Sequence, residues 1–323
     1  MNTLYPLFFK PVYKDYLWGG TRILTEFNRN EPDGIYAESW EVSDRPDGMS
    51  VITNGPLKGK NLHDVVHSHP QALLGEAHLA DRFPLLLKLI DAHDNLSIQV
   101  HPDDERAETF GGEAKTEAWY VLDATEDAVI YAGFNDHYPQ EIVDQKLPTR
   151  DILAMMHTIP VEKGDMIFIP GGRLHAIGKG CFVLEIQQNS NTTYRVYDWD
   201  RVDSQGNPRD LHLEKARQVI HYDDVVDPRL TPKLLEESTT HKQWNLLSAS
   251  HFEVEKWAIQ AEIDWPCLDQ FEILFFRAGA GTLKWEGKTH PITMGTTCLL
   301  PAELRSVTME VEDDLELLRF YIP

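Results

Sequence analysis

Four side chains in this sequence have the types and spacing to hold a divalent cation: Gln99, His101, Glu117 and His175. Gln99 and His101 end the alternating stretch 96–101, and residues two apart in a strand share one face. Glu117 follows sixteen residues after His101 and opens a second strand-like run through Ala118, Trp119 and Tyr120. His175 stands just beyond a tight turn. Two imidazole nitrogens and two oxygens suit Zn2+, with room for water at an open position.

The elements that must position these groups are short strands. Around His175 the chain reads as a glycine turn at Gly164, a brief apolar run, then Pro170, Gly171 and Gly172 forcing a second turn. That is a strand delivering a ligand. The spacing Gly-x5-Pro-x-Gly-x2-His resembles the second signature motif of the cupin superfamily, whose small antiparallel barrels bind a metal inside.

Composition narrows the partners. The chain has 323 residues, 42% hydrophobic and 25% charged, as in ordinary globular proteins, and length alone suggests about two domains. With 30 basic against 52 acidic side chains, the formal charge of -22 argues against nucleic acid or an anionic membrane as partner. An acidic protein that takes an anionic substrate must therefore gather its few cations locally. Cys181, Cys267 and Cys298 are widely spaced in apolar surroundings, so each is expected to be a buried small hydrophobe. The N-terminus has no basic lead and no long apolar core, and no run approaches a membrane span, so the chain reads as cytoplasmic. Composition fits a monomer or a weak homodimer.

Other residues carry two readings each. Trp18, before Gly19 and Gly20, is an aromatic at the edge of a turn. Glu38 shares a strand face with Trp40 and Val42, either as part of a half-buried strand or lining a pocket. Lys88 interrupts the apolar run 83–90; its stem snorkels to the surface or reaches a polar cavity. Residues 91–95 are expected to form a hairpin turn into the Gln99 strand. His63, His67 and His69 lie on a helix-like stretch, and i, i+4 spacing suits ligands. With no carboxylate–histidine set recurring nearby, they read as exposed helical histidines. Arg195, among Tyr194, Tyr197 and Trp199, is a stacked surface residue or a fixed clamp beside the metal.

Residues 213–219 read as a short helix and 223–238 as a connector, which places a domain boundary near 235. Beyond it the chain is β-like and repeats Gly-x5-Pro at Gly295 to Pro301, with Ser306 where His175 would correspond. The expected architecture is mainly β: two cupin-type antiparallel barrels, or jelly rolls, with a few short helices. Residues 1–235 would form the metal-binding catalytic unit and 236–323 a metal-free unit built for packing.

The stretches 96–102, 115–117, 172–176 and 194–198, with 18–20 and 38–41, together resemble the type I mannose-6-phosphate isomerases in their short bacterial form. The resemblance implies one Zn2+ per chain held by Gln99, His101, Glu117 and His175, and Arg195 as an active-site residue. It also implies Lys88 and Lys115 in the pocket, with Trp18, Glu38 and Asn191 near the substrate. Longer family members carry an aspartate where this chain has Asn191.

The implied reaction interconverts mannose 6-phosphate and fructose 6-phosphate by moving a proton between C2 and C1 through a cis-enediol. Negative charge on the sugar oxygens is the difficulty, and a metal and a guanidinium both answer it. Lys115, Glu38, Glu185 or zinc-bound hydroxide could carry the proton. Two rivals are an iron-dependent cupin dioxygenase, disfavoured by Gln99 in place of a histidine, and a sugar-phosphate-binding protein without turnover. A related sugar as substrate also stays open.

Overall fold

Strand parity builds the protein in layers. The computed structural model describes residues 3–203 and 205–323, and among these it is mainly β, with antiparallel sheets and a few short helices. One sheet has seven strands, in the spatial order Arg229–Leu230, Met166–Ile169, Glu117–Ala124, Cys181–Gln188, Leu85–Asp91, Glu38–Val42 and Val12–Lys14. A five-stranded sheet faces it, in the order Met156–Pro160, Val129–Phe134, His175–Ile177, Ile98–Val100 and Tyr194–Tyr197.

Alternation decides which layer each side chain joins. In Cys181–Gln188, Leu184 and Ile186 share an apolar core with Leu87, Tyr120 and, from the C-terminal sheet, Phe275 and Leu318. Val183 has the other parity. It packs with Ile90, Trp119 and Val121 toward Ile130, Ala132 and Ile177 of the five-stranded sheet. Lys88, Glu117 and Glu185 have this second parity, so their charged ends lie between the two sheets. A one-residue slip of any of these strands would drive its charged residue into the apolar core and pull out of that core side chains worth about 1.5–3 kcal/mol each.

The outer face of the five-stranded sheet is covered by helices. Val100, Ala176 and Val196 pack with Val143 of the Gln140–Lys146 helix and Ala216 and Val219 of the Leu213–Val219 helix. The helix Asp104–Phe110 starts where Asp103 accepts a hydrogen bond from the Arg106 amide at 2.7 Å. No helix among the described residues is long and apolar enough to cross a membrane.

A third sheet is built on two long C-terminal strands, Glu272–Trp285 and Val307–Tyr321. It also takes in Leu7–Lys10 and Val51–Ile52 from the N-terminal part, with Leu7 opposite Leu299. The boundary expected near 235 lies inside the strand Lys233–Glu237, and the expected connector 223–238 also holds Arg229–Leu230.

Residues 91–95 do not make a hairpin. Both edges of Leu85–Asp91 are taken, by Cys181–Gln188 and Glu38–Val42, so the chain crosses to the facing sheet before Ile98–Val100 begins. Of the three free cysteines, Cys181 and Cys298 are buried, whereas Cys267 is half-buried.

Candidate active site and metal centre

Two glycines set the first ligand. A Cβ on Gly171 would lie 2.5 Å from the Asp103 Cα, and Gly172 has φ +88 with the His221 ring 2.4 Å from any Cβ. Only glycine lets the chain turn there. His175 then opens the next strand, with Ala132 and Gln99 as its register partners. Its Nδ1 donates to the Arg173 carbonyl at 2.8 Å, which leaves the Nε2 lone pair 3.3 Å from Glu117 Oε1.

Glu117 lies opposite Ile169 and Gln187 in the seven-stranded sheet. His101 Nε2 is 3.6 Å from Glu117 Oε2. One ligand atom from each of His101, Glu117 and His175 falls within 4.8 Å of the others, and all three residues are buried. Gln99 places its amide end 3.4 Å from His175 Nε2, where half a turn of the amide presents its carbonyl oxygen.

Burial sets the protonation of this group. It holds both imidazoles neutral, lowering His175 to about 3 and His101 well below its ordinary value, with the nearby Lys115 adding to the effect. Burial and then the charge of Glu185 push the Glu117 carboxyl up to about 7. Glu185 goes the other way, to about 2: burial raises it, but Lys88 and Lys115 more than offset that. Lys88 Nζ lies 3.2 Å from Glu185 Oε1 and 3.8 Å from Glu38 Oε2, and these carboxylates outweigh burial to keep it charged.

The donor set fits a divalent ion. Both oxygens of Glu117 lack a hydrogen-bond donor, although the carboxylate is fully buried. Leaving a buried carboxylate so costs several kcal/mol. Lys115 Nζ lies 2.8 Å from Glu117 Oε2 as an ion pair, and donates to His101 Nε2 at 3.2 Å. An ammonium thus stands beside the point where the donors converge.

Gln99 and Lys115 join the cluster to a cavity of about 240 Å³, of small-molecule size. Trp18, Glu38, Lys88, Gln99, Lys115, Asn191 and Arg195 line it. All ten residues singled out in the sequence are therefore brought to one place. Lys88 reaches the polar cavity instead of the surface, and Glu38 turns its carboxylate to the Trp40 indole at 2.7 Å. Arg195 lines the cavity, where its Nε donates to Ser97 Oγ at 3.2 Å and its Nη1 to the Asp210 carbonyl at 3.0 Å.

Residues 7–138 match the family profile for the catalytic domain of type I phosphomannose isomerase, and 242–322 that for the mannose-6-phosphate isomerase cupin domain. Putative mannose-6-phosphate isomerase YvyI of Bacillus subtilis is 38% identical, over 94% of this chain and 96% of its own length. The mannose-6-phosphate isomerase of Streptococcus mutans is 36% identical over 97% of both chains. This chain belongs to the type I mannose-6-phosphate isomerase family. The crystal structure of the Bacillus subtilis mannose 6-phosphate isomerase superposes with a TM-score of 0.89 at 36% identity, covering 98% of this chain and 99% of that one. A putative mannosephosphate isomerase from Archaeoglobus fulgidus gives 0.79 at 25% identity, covering 99% of both chains.

Within this isomerase family the residue to scrutinise is Asn191. Its Nδ2 donates to Asp47 Oδ2 at 2.6 Å, and its backbone amide to Glu113 Oε2 at 3.0 Å. A carboxylate is therefore still within hydrogen-bond reach of position 191, supplied by another segment. Burial raises Asp47, yet its own backbone amide, Arg45 and Asn191 bring it below the usual carboxylate range.

Tyr16, Ser97, Thr193 and Arg209 are polar lining residues that were not anticipated. Ser97 had a signal, since it shares strand parity with Gln99. Arg209 had none: it sits in a polar loop and is placed by a paired hydrogen bond to Asp198, at 2.8 Å and 2.5 Å.

Proposed function

We propose that this protein interconverts mannose 6-phosphate and fructose 6-phosphate through a cis-enediol, using one Zn2+ per chain at Gln99, His101, Glu117 and His175. The observation that carries this reading is Glu117: a buried carboxylate without a hydrogen-bond donor, beside two neutral imidazoles, in a member of this isomerase family. When bound, the ion supplies Lewis-acid stabilisation of negative charge on the sugar oxygens.

The side chains do the rest. Arg195, with no carboxylate within ion-pair distance among the described residues, adds fixed positive charge where the enediol oxygens develop theirs. Lys115, whose amine must first lose to solvent the proton it carries as an ammonium, takes the proton from C2 and returns it to C1 while a hydroxyl proton passes from O2 to O1, so the bond order moves from C1=O to C2=O with no net loss of a proton. Glu185 is too acidic for that task, and its carboxylate instead fixes Lys88 against one wall.

Charge balance suits a phosphate ester. Lys88, Lys115 and Arg195 are matched by Glu38, Glu117 and Glu185, so a dication leaves an excess that a phosphate of about -1.5 to -2 complements. Arg209 at the rim takes the phosphate, with Trp18 and Asn191 limiting the sugar. The catalytic unit is residues 1–235, and 236–323 is a packing unit.

The test is a coupled assay of zinc-loaded protein on mannose 6-phosphate beside a chelator-treated sample. Turnover abolished by chelator and restored by Zn2+ is expected. Absence of turnover in folded, zinc-replete protein overturns the reading and favours sugar-phosphate binding without catalysis, which persistent exchange of the C2 proton would in turn exclude.

A further inference from the structure

The Leu62–Ser68 helix carries a histidine pair that the isomerase site does not use. His63 and His67 are one helical turn apart, and their Nε2 atoms lie 3.1 Å from each other. The two rings are close to perpendicular, with centroids 4.3 Å apart. In the sequence no carboxylate–histidine set recurred nearby. The fold supplies a carboxylate from nineteen residues upstream: Asp44, whose side chain is fully buried, lies 3.0 Å from His63 Nδ1.

That contact dictates the tautomer. A carboxylate only accepts, so His63 donates its Nδ1–H to Asp44 and leaves the Nε2 lone pair directed at His67. Asp44 is itself anchored, since its Oδ2 accepts from the Phe83 amide at 2.8 Å and its strand pairs with Gly48–Met49. The ring of His63 is therefore held by the core while its free nitrogen is presented outward. We propose that His63 and His67, with Asp44 as positioning residue, form a second divalent-cation site on the surface, for a transition metal of the Zn2+ class.

The spacing is that of two ligands on one ion. Two nitrogens about 2.0–2.1 Å from a zinc ion, at angles of about 90–109°, are about 2.8–3.4 Å apart, and the observed 3.1 Å falls in that range. Without an ion the pair shares one hydrogen bond, from His67 Nε2–H to His63 Nε2. Taking up the ion requires that His67 shift its proton to Nδ1, which has no protein partner among the described residues, and that the rings turn so that both lone pairs meet at the ion. The side chain of His63 is 34% exposed and His67 is exposed, so water completes the coordination. Imidazole donors select Zn2+, Ni2+ or Cu2+ over Mg2+ and Ca2+.

The experiment is equilibrium dialysis of the full chain against Zn2+, comparing wild type with His67→Ala and His69→Ala. His67→Ala is expected to bind one zinc ion fewer per chain than wild type, with isomerase turnover within twofold, while His69→Ala matches wild type. Equal zinc uptake by wild type and His67→Ala, or an equal loss in His69→Ala, overturns the assignment. The readout is a difference between variants, so it stands apart from the isomerase reading, which fails only by absence of turnover.

Discussion

Arg319, in the C-terminal sheet, lies between two buried glutamates and leaves neither in want of a partner. Its Nε donates to Glu272 Oε2 at 2.7 Å and its Nη1 to Glu255 Oε2 at 3.3 Å. The indoles of Trp265 and Trp257, the Leu268 amide and the Tyr321 hydroxyl donate to the same carboxylates. Glu117, between the other two sheets, is equally buried and has no hydrogen-bond donor at either oxygen. Both are acids inside antiparallel β-structure. One is neutralised by a cation of the chain itself, fixed in place at synthesis. The other has only the Lys115 ammonium beside it, 2.8 Å from Oε2, and keeps lone pairs on both oxygens for a diffusible ion.

Substitutions at the two places should therefore fail in opposite ways. Glu117→Gln is expected to cut kcat/KM on the order of 10³-fold or more, because the charge that binds the ion is gone. Arg319→Leu strands two buried carboxylates and is expected to cost about 3–5 kcal/mol in urea unfolding, with kcat/KM per folded molecule near wild type. Loss of activity per folded molecule in Arg319→Leu as deep as in Glu117→Gln would break the distinction.

A smaller effect is expected at the rim, where an arginine serves both structure and ligand. Arg209→Met should raise the KM for mannose 6-phosphate by about 10- to 100-fold, the worth of one hydrogen bond to a charged group, and leave kcat within threefold. A fall in kcat with KM unchanged would place Arg209 with the reacting carbons, not the phosphate.

Much of the site was legible because strand parity is a local property. Gln99 with His101, and Lys115 with Glu117, share faces by spacing alone, and the turn at Gly171 and Gly172 announces that a side chain is presented after it. Lys88 was visible as a charge in an apolar strand, and Arg319 follows the same rule within Leu317, Leu318 and Phe320, so its burial beside acids was open to the same argument. What failed was everything that depends on which strand lies next to which. Residues 91–95 carry the turn residues of a hairpin, and only the occupied edges of Leu85–Asp91 show that they bridge two sheets. The pairing of Leu7 with Leu299 has no local trace. Asp44 beside His63 and Asp47 beside Asn191 are likewise products of the fold, joining residues that no short window contains.

Asp198 is the intermediate case and sharpens the comparison. Like Glu272 it is a buried carboxylate satisfied by arginine, here Arg209 and Arg201, yet those arginines are 37% and 24% exposed and Arg209 lines the pocket. Burial pushes its pKa up, but the two arginines more than offset that and hold it below the ordinary carboxylate range. A folded value lower than the unfolded one of about 3.9 means that the ionised clamp contributes its stability at every pH above about 4, and that this is lost as pH falls through the folded value. Wild type should therefore exceed Asp198→Asn in urea midpoint at pH 6, and the gap should narrow steadily from about pH 4 downward. Exposure keeps the gap modest, because solvent screens a half-buried pair. A gap that stays constant from pH 6 to pH 3 would mean that Asp198 acts by shape and hydrogen bonding alone. In that event the rim would owe nothing to charge, and only the two interior clusters would remain as cases of an acid waiting for, or provided with, its cation.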